Sequence, residues 1–581
     1  MRSRLALLIC GLALVVCAPL ARADVPVTET PVSIPASLPD DEGNPVVLDG
    51  GIDVPASGCP CPGVIINHGF LGNWHDSGDM ARRLAGQGYV VLRYSSRGFG
   101  NTPGEVDLMG PKEQQDLLDA VHWLNARSDV IHNDIGQFGG SYGGAHAWSL
   151  AMADDPAVRT VVPTATWTDI YQALLPNDVE LAAYVNGFYA TGLDTVADAS
   201  GYWDPTTFKP PSGAPTSIRT TDNYAQEMHR WIAEANTGVN IADAKVGMDS
   251  RSVKGRYNRI HIPVFIIQGT NDGLFNQNQA VDAYRALSAQ GTPVRLYVGG
   301  IGHPPSDGSL DSPEALHVGA EVLAWFNHYL KGEDNGIDRM PPIEYSHASY
   351  FHNKWNGTTT SANSYPFGPA KTLRLCTSGP QGGTLDAADC ASAPPAVAAN
   401  AYAGQGLNQE PVTANYADDD PTGLTQTDLS QAPPTLSYDG PTLTAPLDMV
   451  GIPRVHLQVA SIDELPAGVE AGAAAFQLDP KLYDVDGSGK ATLLTRGAFA
   501  QPLNAQDPTA PQPQHEVAFD VNGLSYTIPA GHHLRVTLST SDAPYLRPEN
   551  NPFAVALFAG STISLPSSSE MFPTPATPPL G

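Results

Sequence analysis

Residues 134–145 read DIGQFGGSYGGA. A short apolar run passes into two glycines, a serine, a tyrosine and two more glycines, and then into a helical pattern. Gly139, Ser141 and Gly143 fit G-x-S-x-G, the pattern of a nucleophile at a sharp strand-to-helix turn. Such a turn strains the serine backbone, and a side chain at either flanking glycine would strike the adjoining strand or helix. The serine protrudes at a helix N-terminus, where free N–H groups and the helix dipole favour a developing negative charge. An idle serine in a Gly-rich turn has the same local sequence, so the assignment depends on the rest of the chain.

Around this stretch, β-branched runs alternate with helical patterns. GVIINHG (63–69), YVVLRYSS (89–96), IGQFGG (135–140), VRTVVPTAT (158–166), PVFIIQG (263–269) and PVRLYVGG (293–300) read as strands. Residues 79–87, 111–127, 145–153, 276–289 and 313–330 read as helices. The alternation predicts a parallel sheet with covering helices. It breaks between Trp167 and Arg259, an aromatic and helix-forming interval that reads as a cap inserted over the C-terminal edge of the sheet.

A serine hydroxyl needs a histidine base that is itself oriented by a carboxylate. In an α/β-hydrolase these follow in the order Ser, acid, His, each on a loop after a strand. PVFIIQGTNDGLF places Asp272 just past one strand, and PVRLYVGGIGHPPSDG places His303 just past the next. A lone Asp is usually a turn former and a lone His usually structural, but three residues in this order after these strands predict a triad. The oxyanion hole would take one N–H from Tyr142 and a second from the loop IINHGFLGN, at Phe70 in preference to Leu71. His68 is read as structural, holding that loop by hydrogen bonds.

Near residue 340 the pattern changes to short alternating strands separated by Gly, Pro, Asn and Asp. TLRLC, PRVHLQVAS, AAFQLDPKLYDV, ATLLTRGAF, HEVAFDV and HHLRVTLSTS are examples, with a Pro/Ala/Gln-rich loop across 391–434. The expected architecture is therefore an α/β-hydrolase domain over 24–340, its helical cap at about 167–259, and an all-β sandwich or jelly roll over 341–581. DVDGSGKATLLT begins like a calcium loop at Asp484, Asp486, Ser488 and Gly489. Its twelfth position is Thr495 and its flanks are strands, so it reads as a hairpin turn.

The 581-residue chain is 42% hydrophobic and 16% charged, the composition of a folded protein. Arg2 and Arg4 precede an apolar run from Leu5 to Cys17, and ARA at 21–23 supplies small residues for signal-peptide cleavage. The mature chain is expected to start at Asp24, secreted or periplasmic. The run is shorter than the roughly 20 residues of a spanning helix, and the bulky Val16 argues against lipid attachment at Cys17. Losing Arg2, Arg4 and Arg22 takes the formal charge from −29 to −32, a surface that disfavours nucleic acid. Cys376 and Cys390 are expected to form a disulfide across a Gly-rich loop. Cys59 and Cys61 are read as too close for an easy mutual bond, with zinc as an alternative use.

GGSYGG (139–144), SSRGFGNTPGE (95–105), DPKLYDVDGSG (479–489) and AGHHLRVTLSTSDAPYLRPENNP (530–552) together resemble the X-Pro dipeptidyl-peptidase and cocaine-esterase family of serine hydrolases. The resemblance covers nearly the whole mature chain and implies Ser141, Asp272 and His303 as the triad. Familiar members supply an oxyanion donor from a tyrosine hydroxyl in a T-P-Y segment, whereas HGFLG stands here. The preferred donor is accordingly the Phe70 backbone, with the Tyr94 hydroxyl as the alternative.

The expected reaction is acyl transfer to water from a small ester, amide or peptide substrate, without metal or organic cofactor. Two enzyme readings compete, an esterase for small apolar acyl groups and an exopeptidase releasing X-Pro dipeptides. The second needs an acidic side chain of the insertion to hold a free amino terminus, for which Asp169, Asp178 and Glu180 are candidates. Trp167 and Asp169 are the expected pocket residues. A non-enzymatic reading makes the β domain a sugar-binding module and the triad vestigial.

Overall fold

The computed structural model describes residues 25–197, 224–238, 241–270, 272–303, 312–348, 355–379, 381–390, 395–400, 425–426, 435–461, 475–502, 513–542, 545–547, 549 and 553–566. The expected signal segment, most of the 391–434 loop and Asp307, the alternative acid that the sequence offers beyond His303, lie outside them.

A ten-stranded sheet organises the first two thirds of the chain. Its strands are β1 (Val27–Pro35), β2 (Val47–Pro55), β3 (Cys61–Asn67), β4 (Val90–Tyr94), β5 (Val130–Gly140), β6 (Val158–Thr164), β7 (Val264–Gly269), β8 (Val294–Gly299), β9 (Ile343–Ala348) and β10 (Trp355–Ala362). Their spatial order is β1-β2-β4-β3-β5-β6-β7-β8-β9-β10. From β4 and β3 through β9 the pairings are parallel, and antiparallel strands flank them at both edges. The parallel strands read as continuous apolar runs because both faces are covered. Val64, Ile66, Phe138, Phe265 and Ile267 face one layer with helices α1 (Gly78–Gly86) and α9 (Pro313–Lys331). Ile65, Ile135, Val161, Val264 and Ile266 face the other, with α2 (Pro111–Asn125), α3 (Tyr142–Ala153) and α8 (Gln277–Ala289). Each fully buried aliphatic or aromatic side chain here contributes about 1.5–3 kcal/mol.

The interval that breaks the alternation forms α4 (Ile170–Leu174), α5 (Ala182–Ala197), α6 (Gln226–Thr237) and α7 (Ile241–Asp249), all between β6 and β7. An all-β domain with its own core follows. Two strands beyond residue 340, β9 and β10, belong to the hydrolase sheet. A period-two pattern marks a strand without saying which sheet it joins. The N-terminal hairpin β1–β2 carries no clear alternating apolar pattern, because β1 is largely exposed and β2 has Asp49, Gly50 and Gly51 at its centre.

DVDGSGKATLLT is a hairpin turn. Val485 pairs with Ala491, and Asp486 Oδ1 accepts the N–H groups of Ser488 and Lys490 at 2.8 and 3.0 Å. Asp484 is taken by Tyr526 Oη–H at 2.9 Å and His532 Nδ1 at 2.8 Å. Cys376 and Cys390 are joined at 2.01 Å. Cys59 and Cys61 are also joined, contrary to the expectation from their spacing. The chain turns back at Pro60 on entering β3, and this brings the two Cα atoms to 4.5 Å, a separation that a disulfide spans.

Candidate active site

Ser141 follows β5 directly and has φ 57° and ψ −119°. The region is one that L-residues avoid, and it persists only where the surroundings enforce it. Two glycines permit the turn by close approach. A Cβ on Gly139 would meet the Gly143 carbonyl oxygen at 2.1 Å, and one on Gly143 would meet the Asn67 carbonyl oxygen at 2.2 Å. Ser141 N–H donates to Thr164 C=O at 2.9 Å, which ties the turn to β6. Helix α3 starts at Tyr142, so its first N–H groups and its dipole face the serine.

The loops after β7 and β8 bring the other two predicted residues to this turn. His303 Nε2 lies 2.9 Å from Ser141 Oγ, and His303 Nδ1 lies 2.9 Å from Asp272 Oδ2. Asp272 Oδ1 accepts the Leu274 and Phe275 N–H groups at 2.9 and 2.8 Å. The second oxygen faces the imidazole and also accepts Gln268 Nε2–H at 3.4 Å. Gly302 makes room, since a Cβ there would come within 2.7 Å of Asp272 Cβ.

The 68–72 loop runs beside the serine, where a Cβ on Gly69 would stand 3.9 Å from Ser141 Cβ. Gly69 C=O accepts His68 Nδ1–H at 2.7 Å and Gly72 N–H at 3.0 Å. In a trans peptide the next N–H, that of Phe70, points the opposite way. His68 Nε2 accepts Ser96 N–H at 2.9 Å, so one neutral ring braces the loop on both sides. Burial pushes its pKa down to about 4, which keeps it uncharged above that pH. Ser96 Oγ also meets His146 Nε2 at 3.1 Å, and His146 Nδ1–H donates to Tyr142 C=O at 2.9 Å. Burial lowers the His146 pKa to about 3.

A link that the sequence did not suggest anchors the Tyr142 side chain. Its hydroxyl donates to Glu113 on α2, and Glu113 also accepts Asp107 N–H at 3.1 Å and Met109 N–H at 2.6 Å. Leu108 and Met109 sit at φ 47° and 63° in the turn so held. Full burial raises the Glu113 pKa to about 7.

Above Ser141 lies a cavity whose walls are apolar and aromatic. Phe70, Leu108, Tyr142, Trp167, Phe188, Tyr224, Trp231 and Phe275 are among its lining residues. Trp167 is thus at the cavity, but Asp169 is not. Asp169 caps α4 by accepting Gln172 N–H at 3.1 Å and pairs with Lys254 at 3.5 Å. Asp178 accepts Tyr171 Oη–H at 2.7 Å. Glu180 is buried and accepts Asn186 Nδ2–H at 3.2 Å, and burial raises its pKa to about 7. Among the described residues no Asp or Glu lines the cavity. Tyr94 is buried and absent from the described lining.

Among the described residues, two groups of side chains have the spacing to hold a cation. At His317, Glu321 and Glu344 the position is taken by Arg295, whose Nη2 lies 2.5 Å from Glu321 and 2.6 Å from Glu344. At Asp40, Glu42 and Glu105 the carboxylates of Asp40 and Glu105 accept backbone N–H groups of the 41–44 turn.

The fold, with a serine, a histidine and a carboxylate in contact at the C-terminal ends of its strands, defines a serine hydrolase of the α/β type. The profile of the X-Pro dipeptidyl-peptidase S15 family matches residues 43–329, and that of the X-Pro dipeptidyl-peptidase C-terminal non-catalytic domain matches 335–562. The chain belongs to this family. A proposed serine esterase of Mycobacterium bovis is 24% identical over 533 residues, 80% of each chain. A proposed Xaa-Pro dipeptidyl-peptidase of Rhodopirellula baltica is 22% identical over 490 residues, 79% of this chain and 69% of that one. An α-amino acid ester hydrolase structure superposes with TM-score 0.66 at 18% identity, covering 95% of this chain and 98% of that one. A CocE/NonD family hydrolase from Staphylococcus aureus gives 0.63 at 15%, covering 96% and 100%.

Proposed function

We propose that the protein is an exported carboxylesterase acting through Ser141, His303 and Asp272 on esters of small apolar acids. His303 Nε2 takes the Ser141 proton as Oγ attacks the carbonyl and passes it to the alcohol that leaves as the ester C–O bond breaks; Asp272 holds the imidazole tautomer, and a water deprotonated by the same nitrogen then frees the acid from Ser141. The Tyr142 and Phe70 N–H groups receive the oxyanion. The observation that carries the choice of ester is the cavity above Ser141, with its aromatic walls and no carboxylate among the described lining residues. Export rests on the charged and apolar pattern of residues 1–23. The family match favours a second reading, release of X-Pro dipeptides. That activity needs an anionic partner for a free amino terminus, and none of Asp169, Asp178 and Glu180 is among the described residues lining the cavity.

Parallel assay of p-nitrophenyl esters and X-Pro p-nitroanilides tests the choice. Ester hydrolysis should dominate and should strengthen from acetyl to longer apolar acyl groups. Faster cleavage of the X-Pro amides would reverse the assignment.

The oxyanion assignment has its own test. Phe70→Pro removes an N–H and should cost roughly 2.7–4 kcal/mol of transition-state stabilisation, about 10²–10³ in kcat. Phe70→Ala retains the donor and should lose far less, and Tyr94→Phe should stay near the parent. A crippled Tyr94→Phe beside an active Phe70→Pro would move the donor to the tyrosine.

A further inference from the structure

The all-β domain reaches the loop that carries Asp272 at Ser525, whose N–H donates to Thr270 Oγ1 at 3.1 Å, and beside the acid itself at Tyr545. Tyr545 is 4% exposed, and its hydroxyl donates to Gly273 C=O at 2.6 Å. Gly273 directly follows Asp272, and its own N–H donates to His303 C=O at 3.1 Å. That same His303 carbonyl accepts Tyr184 Oη–H at 3.2 Å from cap helix α5. The rings of Tyr184 and Tyr545 meet edge to face with centroids 6.4 Å apart. Around them, Ala183 N–H donates to Tyr545 C=O at 3.3 Å and Arg547 N–H to Glu180 C=O at 2.9 Å. The acid loop and the cap therefore meet on one side chain from the second domain, and each also donates to the His303 carbonyl.

Tyr545 is held from behind by buried ions. Asp542 pairs with Lys481 Nζ at 3.1 Å and with Arg496 Nη1 at 2.8 Å, and all three side chains are at most 5% exposed. The Arg496 guanidinium stacks over the Tyr545 ring with its carbon 4.3 Å from the centroid. A cation on the ring face is attracted to the π electrons and draws density from the phenol, which strengthens its O–H as a donor. A buried ion group is a weak device for stability alone, because desolvation offsets its attraction. Here it fixes the ring whose hydroxyl reaches the acid loop.

We propose that Tyr545 is a positioning residue for hydrolysis, setting the Asp272 loop against the His303 loop from outside the hydrolase domain. The role rests on the reading of Ser141, His303 and Asp272 given above. The loops after β7 and β8 carry two members of the triad, and a displacement of about 1 Å in such a geometry costs up to about 100-fold in rate.

Tyr545→Phe keeps the ring between Arg496 and Tyr184 and removes only the donor. On a p-nitrophenyl ester its kcat should fall about tenfold with KM within about twofold of the parent, and fluorophosphonate labelling should slow by the same factor. Asn278→Ala is the control, since it breaks two other contacts between the domains, to Val521 C=O at 2.9 Å and from Gly523 N–H at 2.8 Å. Its kcat should match the parent. An unchanged kcat in Tyr545→Phe overturns the proposal, as does an equal loss in Asn278→Ala, which would make domain docking in general responsible. Retained labelling of Ser141→Ala would instead remove the underlying reading, a result separable from an unchanged Tyr545→Phe in a protein that labels only at Ser141.

Discussion

Ser141→Ala should abolish labelling by a fluorophosphonate and lower ester turnover by about 10⁶-fold, leaving only what the oxyanion donors and binding supply. The effect is large because one oxygen serves both half-reactions, as nucleophile in acylation and as leaving group in deacylation. Alanine should tolerate the local fold, because the turn is enforced by the approach of Gly139 to Gly143 and of Gly143 to Asn67. The expected protein is folded and inert, which circular dichroism and a labelling gel would register together. Undiminished labelling would place the nucleophile at another serine.

Asp272→Asn should lower kcat by about 10⁴-fold with the fold intact. The hydrogen bonds give the reason. Oδ1 accepts the Leu274 and Phe275 N–H groups, so an asparagine keeps its carbonyl oxygen there and turns its NH2 toward His303. An amide N–H facing Nδ1 donates to it and forces the imidazole proton onto Nε2, the nitrogen that must accept the Ser141 proton. Kinetics on one activated ester, with a thermal melt for folding, would check this. A loss below about tenfold would point to a different acid, with Asp307 as the alternative beyond the histidine loop.

Much of the candidate site was legible because its signals are local. A serine between glycines after an apolar run can make few structures, and Asp272 and His303 each follow a strand pattern by a few residues. The cap was legible as a failure of the alternation, and the second domain as a change of period. The pairing of Cys59 with Cys61 was misread, since spacing alone does not reveal how the chain turns at Pro60. Asp169 was expected in the pocket as an acidic side chain of the insertion, although its carboxylate faces the first turn of α4 and Lys254.

By itself the chain determined those features whose cause lies within a few residues: strand runs that bury both faces, helix starts, and a backbone at Ser141 that glycine neighbours allow. Only the tertiary structure decided which distant polar groups meet. Glu113 reaches Tyr142 across 29 positions, Tyr545 reaches Gly273 across 272, and β9 and β10 join the hydrolase sheet from beyond the change of pattern. Sterics and backbone preference act along the chain and leave a local signature. A buried donor takes whichever acceptor packing brings to it, because leaving it unpaired costs about 1–3 kcal/mol, and that choice is written in no single stretch of sequence.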